Sequence, residues 1–182
     1  MNYRLEIINK ARKIWALNPI FLDTETTGLG GRAEIIEICL VDAFGIKLID
    51  TLVRPRSPIP PDAVQLHGIE NNQVAGAKTW LQVWPEIEIL LKSRYVGIYN
   101  AEFDLKMMQQ SHRVNGLVWK PPGTQFFDIM KMYADFAGHS KWQKLEFAAR
   151  QCGLVPPQVH RAYQDTLLAR GVFMFMAGEN PS

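Results

Sequence analysis

Residues 19–30 read PIFLDTETTGLG. Three apolar residues, Ile20, Phe21 and Leu22, run straight into two acids, Asp23 and Glu25, and a Thr-Thr-Gly turn follows. The apolar run marks a strand bound for a core. Side chains two apart on a strand point to the same face, so Asp23 and Glu25 stand side by side. Like charges so placed repel, and each is costly to bury unpaired. Something else in the chain, or bound to it, must hold them.

The 182 residues are enough for one sizeable domain with a full core. With 47% apolar and 21% charged residues the composition is that of an ordinary globular protein and not of a disordered one. The net charge of +2 permits a polyanionic partner without predicting one. Cys39 and Cys152 lie in apolar surroundings with no paired spacing. That argues against a disulfide framework or a zinc site and fits a reducing compartment, the cytoplasm. The N-terminal residues 1–18 read as an amphipathic helical extension without a signal-peptide core. No apolar stretch is long enough to span a bilayer, so no membrane association is expected.

The periodicities predict a helix over 3–17, strands over 20–24, 34–42 and 46–53, and a turn at Ala43-Phe44-Gly45. A proline-rich connection and a short helical turn follow. Trp80, Trp84, Ile87 and Leu91 form a helical stripe, with Pro85 a point of bending. YVGIYN is a strand, AEFDLKMMQQSHRV a helix and TQFFD a strand. Helices follow at about 129–137, 141–152 and 160–176. A three-strand meander followed by strand–helix alternation implies an α/β fold, a five-stranded mixed sheet flanked by helices. No linker divides the chain, so a single domain over 1–182 is expected.

Two further acids fall in apolar elements. Asp104 is followed by Met107, Met108 and Ser111 at helical spacing, which places it on or beside the core-facing stripe. Asp165 is followed by Leu168, Val172, Phe175 and Met176, so it also points inward. Singly, each acid reads as a cap or an ion-pair partner, Asp165 with Arg161 or Arg170. Together, four carboxylates entering apolar elements from three regions suit divalent cations with oxygen ligands. Two such ions form the usual clamp for phosphoryl hydrolysis. His160, behind Pro156 and Pro157, lies five residues before Asp165, which on one helix is about 140° around the axis. It is therefore expected on the entering loop or first turn, able to take a proton from water.

The motifs FLDTETTGL, YNAEFD (Asn100 to Asp104) and HRAYQD (His160 to Asp165) resemble those of the DEDDh, or DnaQ-like, 3′–5′ exonucleases. That family includes the proofreading subunit of bacterial DNA polymerase III and TREX-type nucleases. LHGI, Leu66 to Ile69, matches a further family feature. The resemblance implies a ribonuclease H-like fold and two Mg²⁺ or Mn²⁺ ions held by Asp23, Glu25, Asp104 and Asp165. It implies His160 as general base and release of 5′-mononucleotides. It also places Thr26, Thr27, Gly28, Leu29, His67, Asn100 and Phe103 beside the terminal nucleotide, although Phe103 also reads as core and His67 as a cap of its own turn. Where many members have Asp-Thr this chain has Asp128-Ile129, so Asp128 reads as a helix cap. The N-terminal extension is longer than the family pattern needs and either packs on the sheet or docks a partner. A protein partner or a homodimer is left open.

Asp-Thr-Gly of aspartic proteases and Asp-x-Asp of dehalogenase-type phosphatases fit poorly once all three motifs are counted. The expected substrate is the single-stranded or frayed 3′ end of DNA, with little sequence specificity. The alternatives are an exoribonuclease acting on short or structured RNA ends and a nucleic-acid-binding adaptor of the same fold. An adaptor would have lost a carboxylate or the histidine, and all five are present.

Overall fold

The computed structural model describes residues 3–179; the terminal residues 1–2 and 180–182 of the expected extension and domain lie outside the described residues. Its elements are α1 (Tyr3–Trp15), β1 (Ile20–Thr26), β2 (Ile35–Val41), β3 (Lys47–Arg54), α2 (Pro61–His67), α3 (Asn71–Val74) and β4 (Lys78–Thr79). There follow α4 (Trp80–Leu91), β5 (Tyr95–Ile98), α5 (Ala101–Val114), β6 (Gln125–Asp128), α6 (Ile129–Ala137), α7 (Leu145–Gln151) and α8 (Ala162–Ala177). The sheet has the order β4-β3-β2-β1-β5-β6. Strands β1, β2 and β3 are antiparallel, and β5 and β6 run parallel to β1. The sixth strand, β4, was not expected. It is a two-residue addition parallel to the end of β3, too short to leave an alternating pattern.

Alternation along β1 feeds two cores. Phe21 packs with the α6, α7 and α8 side, in contact with Phe127 and Phe173. Ile20 and Leu22 pack with Trp80, Trp84, Ile87 and Leu91 of α4 and Met107 and Met108 of α5. The stripe read on α4 is thus its buried face, and the helix runs through Pro85 without interruption. The extension α1 packs mainly on helices and touches the sheet at its end. Ile7, Ala11 and Ile14 are covered by α6 and α8, and Trp15 reaches Phe21 and Phe173.

β1 pairs with β5 only at Ile20↔Val96 and Phe21↔Gly97. Beyond Phe21 the two parallel strands part, and the carboxyl half of β1 is left open on that side. Open α/β sheets place their sites at such carboxyl ends. On its other side β1 stays paired to β2 through Glu25↔Glu37, where a bulge precedes Thr26↔Ile35. Bulges re-aim side chains next to sites of this kind.

Candidate active site

Asp23 and Glu25 project from the open half of β1, on the face that meets α8. Asp165, in the first turn of α8, is brought against them on that same face. The carboxylate oxygens of these three residues lie within 4.8 Å of one another. Glu25 and Asp165 are buried and Asp23 is partly exposed. Asp104 comes from the opposite face, in the first turn of α5. It is 3% exposed, and its carboxylate accepts a 2.7 Å hydrogen bond from Thr24 Oγ1. The structure therefore gathers three of the four expected acids into one cluster and ties the fourth to the intervening threonine.

The electrostatics show what the cluster lacks. Burial, then the charges of Asp104, Glu25 and Asp165, push Asp23 well above the ordinary carboxylate value. Burial pushes Glu25 up to about 8, with Asp165 and Glu37 adding to it. Asp104 rises to about 7, because burial outweighs the Thr24 hydrogen bond. Asp165 is raised by burial, against the pull of His160. Carboxylates that cannot all ionise together fit a divalent cation with oxygen ligands, which supplies the missing charge.

His160 lies on the loop before α8, as expected for a residue entering the helix. Its Nδ1 is 2.8 Å from Asp165 Oδ2 and its Nε2 is 3.2 Å from Glu146 Oε1. The 140° helical separation does not apply, because α8 begins only at Ala162. The hydrogen bond to Asp165, and then the charges of Asp165 and Glu146, raise the His160 pKa.

A cavity of about 550 Å³ opens beside Glu25. Six of the seven expected substrate-side residues line it: Thr26, Gly28, Leu29, His67, Asn100 and Phe103. Thr27 does not. Its hydroxyl accepts from Glu34 N at 2.9 Å and its own N–H donates to Glu34 O, so it closes the turn. Gly28, at φ +137°, takes a conformation that favours glycine. Leu29 is 78% exposed at the cavity's edge. His67 is 1% exposed and caps its own turn, its Nδ1 accepting from Ile69 N at 3.0 Å. A neutral ring with Nδ1 as acceptor carries its proton on Nε2, and that buried atom has no partner among the described residues. Burial lowers the His67 pKa against the pull of the Thr26 backbone beside the ring, and so favours this neutral form.

Sequence reasoning missed Glu37. It is 3% exposed on β2 and accepts from Arg161 through both carboxylate oxygens and from Ala162 N at 3.0 Å. Arg161 therefore pairs with Glu37 and not with Asp165, and Arg170 donates to Ala43 O. An acid inside the apolar run AEIIEICLV was the available signal. Asp128 accepts from Lys131 N at 3.0 Å and is the cap that was expected.

Three clustered acids, a histidine paired with one of them and an adjoining cavity at a strand's carboxyl end are the makings of an enzyme site. The family model described as Exonuclease matches residues 20–173, and the chain belongs to this exonuclease family. An uncharacterized exonuclease, CP81, of Escherichia phage 186 is 36% identical over 184 residues, covering 94% of each chain. A PolC-type DNA polymerase III of Thermotoga maritima is 29% identical over 160 residues, 85% of this chain but only 11% of the polymerase. Among solved structures, exonuclease X in complex with 5′ overhanging duplex DNA matches with a TM-score of 0.63 at 27% identity, over 87% of this chain and 92% of that one. The nuclease domain of 3′hExo, a DEDDh family member bound to rAMP, matches with a TM-score of 0.74 at 21% identity, over 89% and 93%. The DEDDh resemblance and the ribonuclease H-like fold read from the motifs both hold. Among the described residues no helix is long and apolar enough to cross a membrane.

Proposed function

We propose that the chain is a 3′–5′ exonuclease that removes single nucleotides from single-stranded or frayed DNA ends as 5′-mononucleotides. The observation that carries this is the acid cluster: Asp23, Glu25 and Asp165 converge with only His160 as a cationic partner, beside a cavity whose walls are largely apolar. Asp23, Glu25, Asp104 and Asp165 would hold two Mg²⁺ or Mn²⁺ ions. Such ions, when bound, sharpen the attacking water and stabilise the departing 3′ oxygen.

The chain's own residues do the rest. The terminal nucleoside enters the cavity, its base against Leu29 and Phe103, with His67 in the same wall. Asn100, held in a left-handed conformation at φ 67°, borders the same cavity at the start of α5. His160 accepts the proton of the attacking water once its ring is neutral. The water oxygen bonds to the terminal phosphorus, and the bond from that phosphorus to O3′ of the penultimate nucleotide breaks. The phosphate stays on the 5′ oxygen of the released nucleotide, and the departing O3′ takes a proton from solvent. The DNA reading is supported by exonuclease X, the more identical of the two structures, which is in complex with DNA. The rAMP bound to 3′hExo keeps an RNA 3′ end as the second reading. An inactive adaptor is disfavoured by the retention of all five catalytic candidates.

The test is a gel of 5′-labelled single-stranded DNA and RNA of matched sequence, with Mg²⁺ or Mn²⁺ and with EDTA. A metal-dependent ladder shortening from the 3′ end is expected, faster on DNA. His160→Ala should slow it roughly 10²–10⁴-fold. Asp23→Ala should abolish it while the protein stays folded. An unchanged rate in Asp23→Ala, or cleavage that persists in EDTA, sinks the assignment.

A further inference from the structure

A second cavity, of about 420 Å³, meets the acid cluster through Asp23 and Asp165, where the first meets it through Glu25. It is bordered by Asp23, His160 and Asp165 on the cluster side and by Trp142, Lys144 and Glu146 on the other. Asn100 borders both cavities. The carboxylates therefore stand between two cavities, as a scissile phosphate stands between two nucleosides.

The two cavities differ in a way that assigns them. The first is the more enclosed and suits the end of a strand; the second is more open, and a strand that continues must leave through it. The wall of the second carries an aromatic ring that the fold does not use. Trp142 is 62% exposed, although tryptophan is a costly residue to leave in water. Its loop is held in place: Tyr99 Oη donates to Gln143 O at 2.8 Å, and Gln143 Nε2 donates to Lys141 O at 3.0 Å. Lys131 Nζ sits 5.2 Å from the Trp142 ring centroid, and 3.8 and 3.9 Å from the carboxylates of Glu102 and Asp128. Lys141 and Lys144 flank the ring in sequence and both are exposed. An exposed ring with cations around it, on a pinned loop beside an acid cluster, has the composition of a stacking platform for a nucleic-acid strand.

We infer that Trp142 stacks on the base of the penultimate nucleotide, with Lys144 facing the strand's phosphates, so that the second cavity holds the leaving side of the scissile bond. Glu146 in the same wall opposes an anion, which favours the base and sugar there over a further phosphate. The inference rests on the exonuclease reading above and deepens it. It names a contact that scores whether the strand is there, not which sequence it has, because every base offers a π face.

The experiment compares two 5′-labelled oligonucleotides, one unmodified and one with an abasic residue at the penultimate position, on wild-type protein and on Trp142→Ala and Trp142→Phe. The readout is kcat/KM for removal of the 3′-terminal nucleotide. On the unmodified strand Trp142→Ala should lose roughly tenfold or more, in line with stacking losses per base, and Trp142→Phe should recover most of it. On the abasic strand wild type should already be slow and Trp142→Ala should change it by less than about twofold. Equal losses on both strands would mean that Trp142 shapes the site rather than the base contact, and would overturn the inference. No loss on either would also overturn it, and would leave the ring as a surface for a protein. If wild type cleaves neither strand, the exonuclease reading itself fails and the inference with it.

Discussion

Glu37 and Arg161 lie 124 residues apart, yet their pairing decides where the last motif sits. Glu37 is fixed by the β1–β2 ladder directly opposite Glu25. Its carboxylate takes Arg161 and the first free N–H of α8, that of Ala162, at once. A carboxylate at a helix N-terminus satisfies an orphan donor and complements the helix dipole. This anchor sets the first turn of α8, and with it Asp165 and the preceding His160. Glu37→Gln loses the charge and offers an amide donor to partners that are themselves donors. Breaking a buried pair costs about 3–5 kcal/mol, and the partly exposed Arg161 head, screened by water, argues for less. We expect a stability loss of roughly 2–3 kcal/mol by urea denaturation. We also expect kcat to fall about tenfold at nearly constant KM, since His160 and Asp165 shift while the apolar cavity does not. A kcat unchanged after correction for the folded fraction would rule out the anchoring role. The five catalytic candidates were legible because carboxylates in apolar elements are conspicuous. Glu37 was not, because its partner is remote and a lone acid in a strand does not announce whether it faces a metal or a guanidinium. Thr27 was placed on the substrate side by resemblance, and only the turn geometry reveals that its hydroxyl is already engaged.

At the scale of elements, β5 carries the most constrained position. Gly97 is paired to Phe21 of β1 and to Phe127 of β6. The two rings lean across it edge to face, their centroids 6.4 Å apart. A Cβ at Gly97 would lie 2.6 Å from Phe127 Cζ and 2.9 Å from Phe21 Cδ1. Gly97→Ala should therefore overpack the centre of the sheet at a cost of about 1–3 kcal/mol. For a chain of this size that lowers Tm by roughly 2–12 °C, read by calorimetry. An unchanged Tm would mean that the sheet yields more readily than close packing allows. Element type was legible wherever apolar periodicity was long. Boundaries were less so, for local reasons. α7 begins at Leu145 and not near 141, because the intervening loop is spent on Tyr99 and on presenting Trp142. α8 begins at Ala162 and not at 160, because Arg161 is extended (φ −148°, ψ 137°) while it reaches Glu37. Phe175 falls on the expected inward stripe of α8 but is 37% exposed, near the end of the helix.

Across the whole molecule, the two cores on either side of the sheet are joined at a seam of acids, and that seam makes stability depend on pH and on cations. The folded state raises Glu25 from an ordinary value near 4.5 to about 8, and Asp104 from 3.8 to about 7. The folded state thus binds these protons more tightly than the unfolded chain does. Stability from this source is fully present below the unfolded values, and it is lost as pH rises through about 7 to 8. His160, also raised, acts in the same direction. In EDTA, Tm should therefore fall as pH rises from 5 to 9. Glu25→Gln, which cannot ionise, should fall less, and the difference between the two proteins isolates the cluster from other titrations. Mg²⁺ or Mn²⁺ should reverse the loss at the alkaline end, where the acids are ionised and ready to bind. At a hundred times Kd the gain is about 2.7 kcal/mol, or roughly 5–11 °C. At pH 5, where the protons compete with the ion, the gain should shrink. The check is differential scanning fluorimetry over pH, with EDTA and with each cation, on both proteins. A cation-induced rise in Tm that is the same at pH 5 and pH 9, or equal in Glu25→Gln, would place cation binding somewhere other than this seam.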